Sequence, residues 1–222
     1  MRKLPYLVDE INAAMEIYLS GRTGQHYNRV AYILCDDCVE LASKLFLILD
    51  SPGWSDVKAN GHFKRFREVT KEVRDVFTAK RQGDYPDVDK ILGRVEGRRE
   101  RRNEFFHSTH LLDLNLHARD CVEAFLDLVD YGKLLFPVNW DVAVGATRNM
   151  ETCETVLRID RKSYSDPSVV PRLNEILSKQ PRLGVKPSKK GCEVAHHPED
   201  FHLRLAIRNG NKALRDKLKA LL

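Results

Sequence analysis

Apolar residues recur at intervals of three and four along the first 136 residues, the spacing that gathers one face of an α-helix. Leu7, Ile11, Ala14, Met15 and Tyr18 define a first amphipathic helix, punctuated by Gly21 and Gly24. A second is predicted from His26 to Asp50, with Val30, Ile33, Leu34, Cys38, Leu41, Leu45 and Ile48 on one broad face, and Ser51-Pro52-Gly53 stops it. Phe63, Phe66, Val69, Val73 and Val76 predict a third between Gly61 and Gln82. Gly83-Asp84-Tyr85-Pro86 reads as a turn, with Pro86 suited to the first turn of a long fourth helix reaching Leu116. Ala118, Cys121, Val122, Phe125, Leu128 and Val129 mark a fifth, ending near Gly132 to Pro137.

From Val138 the pattern changes. Val169-Val170, Leu173, Ile176 and Leu177 predict a short helix from Val169 to Lys179, and Ala213 to Leu222 reads as helical. Between them, Pro181 through Gly191 is rich in Pro, Gly and Lys and reads as a linker, after which Phe201, Leu203, Leu205 and Ile207 begin another ordered piece. Neither an internal repeat nor a strand series is visible. The expectation is an all-α protein: a bundle of about five helices over residues 1–137, and a mainly helical C-terminal extension over residues 138–222 with its linker at 181–191.

Composition narrows the class. A chain of 222 residues with 42% hydrophobic and 8% aromatic residues can bury a core. Apolar runs such as Leu45 to Leu49 fall far short of a membrane span, and Met1-Arg2-Lys3-Leu4-Pro5 followed by Asp9 and Glu10 does not read as a signal peptide, so a cytoplasmic protein is expected. The cysteines, Cys35, Cys38, Cys121, Cys153 and Cys192, are odd in number and irregularly spaced, which does not suggest a disulfide framework. Cys35 and Cys38 spell a CxxC, but inside an apolar helical stretch and without a second pair, so they read as buried thiols. The formal charge of +5 permits contact with nucleic acid without establishing it.

The candidate chemistry lies in Arg102-Asn103-Glu104-Phe105-Phe106-His107 on the fourth helix. With Asn103 at the origin of a wheel turning about 100° per residue, Arg99, His107 and His110 fall within about 40° of it, while Phe105, Thr109, Leu112 and Leu116 take the opposite side. Arg102 sits about 100° to one side, within reach of a long side chain. A histidine near neutral pKa can take the proton of a ribose 2′-OH or protonate the departing 5′-oxygen. An arginine can clamp the scissile phosphate in bidentate fashion, and an asparagine can orient the histidine or hold the phosphate. Such chemistry calls for no metal and no cofactor.

The R-N-x-x-x-H pattern of Arg102, Asn103 and His107, on the fourth helix of a small bundle and followed by another amphipathic helix, resembles the HEPN superfamily. The resemblance covers residues 5–136. It implies a metal-independent endoribonuclease that cleaves RNA by 2′-OH transesterification, acts as a homodimer with the two motifs facing one shared cleft, and serves as a toxin or antiviral-defence effector with a possible antitoxin partner. One toxin subgroup carries a Tyr two positions after the motif His; Thr109 stands there in this chain.

Several residues keep two readings. Leu111 and Leu114 fall on the His107 side, where they suit either a dimer rim or the core. Asp36, Asp37 and Glu40 are candidates for a carboxylate that positions Arg102; Asp36 and Glu40 are favoured because they lie four apart on one face. Arg99 and His110 are auxiliary candidates. The arginine-rich run also suits a solvated face laced by Glu96, Glu100 and Glu104, which leaves a non-catalytic RNA- or protein-binding module as the alternative. His196, His197 and His202 with Cys192 match no closed zinc pattern, and Lys186, Lys189 and Lys190 suit either phosphate contact or loop solubility.

Overall fold

The computed structural model describes residues 3–20, 25–107, 118–147, 149–179 and 212–222, with backbone alone for 20, 25–26 and 105–107. Among them are nine helices and no strand. They are α1 (Leu4–Ser20), α2 (Gln25–Asp50), α3 (Phe66–Lys80), α4 (Tyr85–His107), α5 (Ala118–Leu135), α6 (Trp140–Ala146), α7 (Met150–Ser163), α8 (Val169–Ser178) and α9 (Lys212–Lys219). The all-α expectation holds. None of these helices is long and apolar enough to cross a membrane.

Each helix buries what its periodicity selects. In α1, Leu4, Leu7, Val8, Ile11, Ala14, Met15 and Tyr18 face inward. Helix α2 is the hub, in contact with α1, α3, α4 and α5. Its buried arc is centred on Ala31, Tyr32, Cys35, Val39, Ala42 and Phe46, and Ser43 donates to or accepts from the Tyr131 hydroxyl of α5 at 2.9 Å. This corrects the expected face: Val30, Leu41 and Ile48 are 49%, 44% and 42% exposed. The core side of α2 uses small residues (Ala31, Cys35, Ala42, Ser43) that let neighbouring helices approach, so hydropathy drew attention to the outer strip instead.

The third helix starts five residues later than expected. Gly61 has φ +80°, a conformation that interrupts a right-handed helix, and it closes a small turn in which Val57 and Phe63 form an isolated antiparallel bridge. Phe63 is consequently 70% exposed rather than on the core face. Helix α3 begins only where the Glu68 carboxylate can accept from the Arg65 backbone N–H at 2.7 Å.

Residues beyond Val138 share the core with the bundle. Helices α6 and α7 pack on α1, α7 also packs on α5, and α8 and α9 pack on α7. One continuous apolar cluster runs from Leu4 to Leu221. The two helices α6 and α7 were not foreseen. Gly132 in α5 lets Trp140 of α6 pack closely against it: a Cβ there would lie 2.2 Å from the Trp140 ring.

Candidate functional site

Helix α4 begins as an ordinary core helix and changes character partway. Val88, Ile91, Leu92 and Val95 are buried against the bundle. One and two turns on, the same inward stripe carries Arg98, Arg99 and Arg102. Guanidinium groups directed at a helical core require carboxylates there, and α2 and α5 supply them.

On the α5 side, Asp127 accepts from Arg94 Nε at 2.9 Å and Nη2 at 2.5 Å, and from Arg98 Nη2 at 2.5 Å. Burial raises the Asp127 pKa, but the two arginines outweigh it and hold the group below its usual value. On the α2 side, Arg99 Nη2 lies 2.7 Å from Glu40 Oε2 and its Nη1 lies 3.3 Å from Asp36 Oδ2. Arg102 Nη2 donates to Asp37 Oδ1 at 3.1 Å, while its Nε lies 3.7 Å from Asp36 Oδ2. Asp36 thus sits between Arg99 and Arg102. Its side chain is only 5% exposed and neither oxygen accepts a well-formed hydrogen bond, despite ion-pair proximity to both arginines. Burial, reinforced by Asp37 and Glu40 and opposed by Arg99 and Arg102, pushes Asp36 up to about 6.

Two cavities flank the arginine stripe. A water-sized one of about 10 Å³ touches Tyr32, Cys35, Asp36 and Arg98. A larger open cleft of about 300 Å³ lies where the start of α3 meets α4, and Asn103, Arg99, Arg65 and Arg67 line it. The Arg99 guanidinium also lies over the Phe66 ring, 4.2 Å from its centroid.

The candidate residues therefore separate into groups. Arg102, Arg99 and Asp36 are brought together, and Asp37 lies nearer to Arg102 than Asp36 does. Glu40 holds Arg99 and Lys44 rather than Arg102. Asn103 is exposed on the cleft side. His107 is the last residue of α4, and its side chain lies outside the described residues. His110, Leu111, Leu114, Thr109, Leu112, Leu116, the His196–His202 group, Cys192 and the linker lysines lie outside them too, as does the Phe105 side chain. In the described part of α4, the wheel position of Arg102 is closer to the centre of the buried face than that of Asn103.

Asp127 and the Arg65–Arg67 pair were missed. They stand on other helices, and nothing in local spacing links them to Arg102. Cys35, Cys38, Cys121 and Cys153 are buried free thiols; burial pushes Cys38 and Cys121 up to about 12 and raises Cys35 and Cys153 as well. Among the described residues, no three His, Cys, Asp or Glu side chains are grouped to hold a metal ion. No family model, no curated protein and no solved structure matches this chain.

Proposed function

We propose that this chain is a metal-independent endoribonuclease of the HEPN type, a cytoplasmic toxin or antiviral-defence effector that works as a homodimer. The observation that carries the reading is the setting of Arg102. Its side chain is 20% exposed and is held against a buried carboxylate, beside Asn103 and on the same helix as His107. A phosphate clamp needs this arrangement: a guanidinium fixed in direction yet open on one side.

In the proposed reaction the ribose 2′-OH attacks the adjacent phosphorus, and the bond from phosphorus to the 5′-oxygen breaks. One His107 imidazole removes the 2′-OH proton, and a protonated imidazole, from the second copy, delivers one to the leaving oxygen. Arg102 balances the charge that gathers on the phosphoryl oxygens, and Asn103 orients the histidine or the phosphate. The products are a 2′,3′-cyclic phosphate and a 5′-hydroxyl. The second copy has a surface to cover: Val30, Leu41 and Ile48 form an exposed apolar strip along α2, on the side that carries Asp37.

One observation favours a second reading, a binding module without chemistry, such as an antitoxin or a complex subunit. Arg94, Arg98, Arg99, Arg101 and Arg102 all have carboxylate partners, as a purely structural network would. Expression in a bacterial host separates the two. Growth arrest by the wild type but not by His107→Ala, with RNA cleavage persisting in EDTA, supports the enzyme. Equal tolerance of both proteins, or cleavage that requires magnesium, contradicts it.

A further inference from the structure

The cleft between α3 and α4 lies about 100° round α4 from Arg102 and shares only Arg99 with the Asp36 cluster. Its walls are strongly charged, yet most of that charge is already committed. Glu96 accepts from Arg74 Nη1 and from Thr70 Oγ1, each at 2.7 Å. Glu100 is paired with Arg67. Arg99 is shared between Glu40 and Asp36 of α2.

Two side chains are left over. Among the described residues, Arg65 enters no ion pair within 4.0 Å and donates no side-chain hydrogen bond, acting on Glu68 only through its charge, and the Asn103 amide makes no hydrogen bond there either. The acid nearest to Arg65 in sequence, Glu68, is already engaged by Lys58 Nζ at 2.7 Å and by the Arg65 backbone N–H. Every arginine of α4, and both Arg74 and Arg81 beside α3, has found a carboxylate. An uncommitted guanidinium and an uncommitted amide facing one cleft constitute a donor set that lacks an anion.

We propose that this cleft is a phosphate subsite for the RNA strand, in which Arg65 and the Asn103 amide hold a backbone phosphate one or more nucleotides from the scissile bond. The inference rests on the endoribonuclease reading for its choice of RNA. Arg65 supplies a planar fork suited to two phosphoryl oxygens, and Asn103 adds an N–H donor. Asn103 then serves both faces of the site: it belongs to the motif in sequence and to the cleft in space. Arg65 is a binding residue here, so its loss weakens capture of the strand without altering the chemical step.

The test is fluorescence anisotropy with a 2′-O-methyl oligoribonucleotide, which binds but has no nucleophile, over a series of salt concentrations. Arg65→Ala is expected to raise Kd about tenfold and to reduce the salt slope by roughly 0.7, the loss of one phosphate contact on a single strand. Arg65→Lys, which keeps the charge but not the fork, recovers the slope and only part of the affinity. Arg172→Ala, an exposed arginine on α8, changes neither. A wild-type Kd and slope in Arg65→Ala overturn the subsite, and cleavage of unmodified RNA in that case leaves the enzyme reading standing. Arg65-dependent binding with no cleavage of unmodified RNA does the opposite. Absence of binding by the wild type overturns both.

Discussion

Replacing Asp36 with Asn separates what this residue does for stability from what it does for Arg102. The carboxyl is 5% exposed, accepts no well-formed hydrogen bond, and is pushed up to about 6 from an ordinary 3.8. A folded-state value above the unfolded one means that the native protein holds this proton more tightly. The group's favourable contribution is then complete below about pH 3.8 and is lost as the pH rises through about 6. That interval corresponds to roughly 3 kcal/mol of stability forgone at neutral pH, an upper figure. Removing a partner from a buried ion pair ordinarily costs about 3–5 kcal/mol, which argues for the opposite sign. Here Arg99 keeps Glu40 at 2.7 Å and Arg102 keeps Asp37 at 3.1 Å, so neither guanidinium is stranded and the burial cost decides. Asp36→Asn is therefore expected to unfold at higher temperature than the wild type at pH 7.5, and most of the gap is expected to close by about pH 4, where the wild-type carboxyl is protonated in the folded chain and about half protonated in the unfolded one. RNA cleavage should fall at the same time, because Arg102 loses its buried anchor. Thermal melts of both proteins from pH 4 to 8 measure the first effect. A variant less stable than the wild type at pH 7.5, with a gap that does not narrow on acidification, would refute this reasoning.

Other consequences are simpler to state. Gly132→Ala places a Cβ 2.2 Å from the Trp140 ring and should lower stability by about 1–3 kcal/mol, whereas Gly97→Ala, on an open face of α4, should raise it by about 0.5–1 kcal/mol; denaturant melts of the pair test the packing of α5 on α6. Asp127→Ala leaves Arg94 and Arg98 without their carboxylate and should cost about 3–5 kcal/mol, read in the same melts. Leu41→Glu puts a charge in the middle of the exposed α2 strip and should convert a dimer to a monomer by light scattering without lowering the melting temperature of the fold. In a Cys192→Ser background, the native protein should consume almost no thiol reagent within minutes, because the four remaining thiols are buried and kept protonated.

How far the sequence revealed this molecule depended on what each helix buries. Helices α1 and α5 were legible because Leu7, Ile11, Met15, Phe125 and Leu128 are large, apolar and periodic. Helix α7 was not, because Thr152, Thr155 and Asp160 occupy buried positions and dilute the hydrophobic signal, and α6 is only seven residues long. Helix α3 was placed too early because Phe63 continues the apolar spacing, while the positive φ of Gly61 has no signature beyond the glycine itself. In the site, Asp36 and Glu40, four apart on α2, both reach arginines of α4, but Glu40 meets Arg99 rather than Arg102. Their division of labour was not legible, since which acid meets which arginine depends on the rotation of α2 against α4. The same holds for Asp127 and Arg65, which tertiary packing alone brings to the motif helix.

The ends of the RNA fragments report the chemistry at Arg102 and His107. Unmodified RNA incubated with the purified protein in EDTA should yield fragments with a 2′,3′-cyclic phosphate and a 5′-hydroxyl, and Arg102→Ala and His107→Ala should abolish them. Fragments ending in a 3′-hydroxyl and a 5′-phosphate, or equal cleavage by the wild type and both variants, would contradict it.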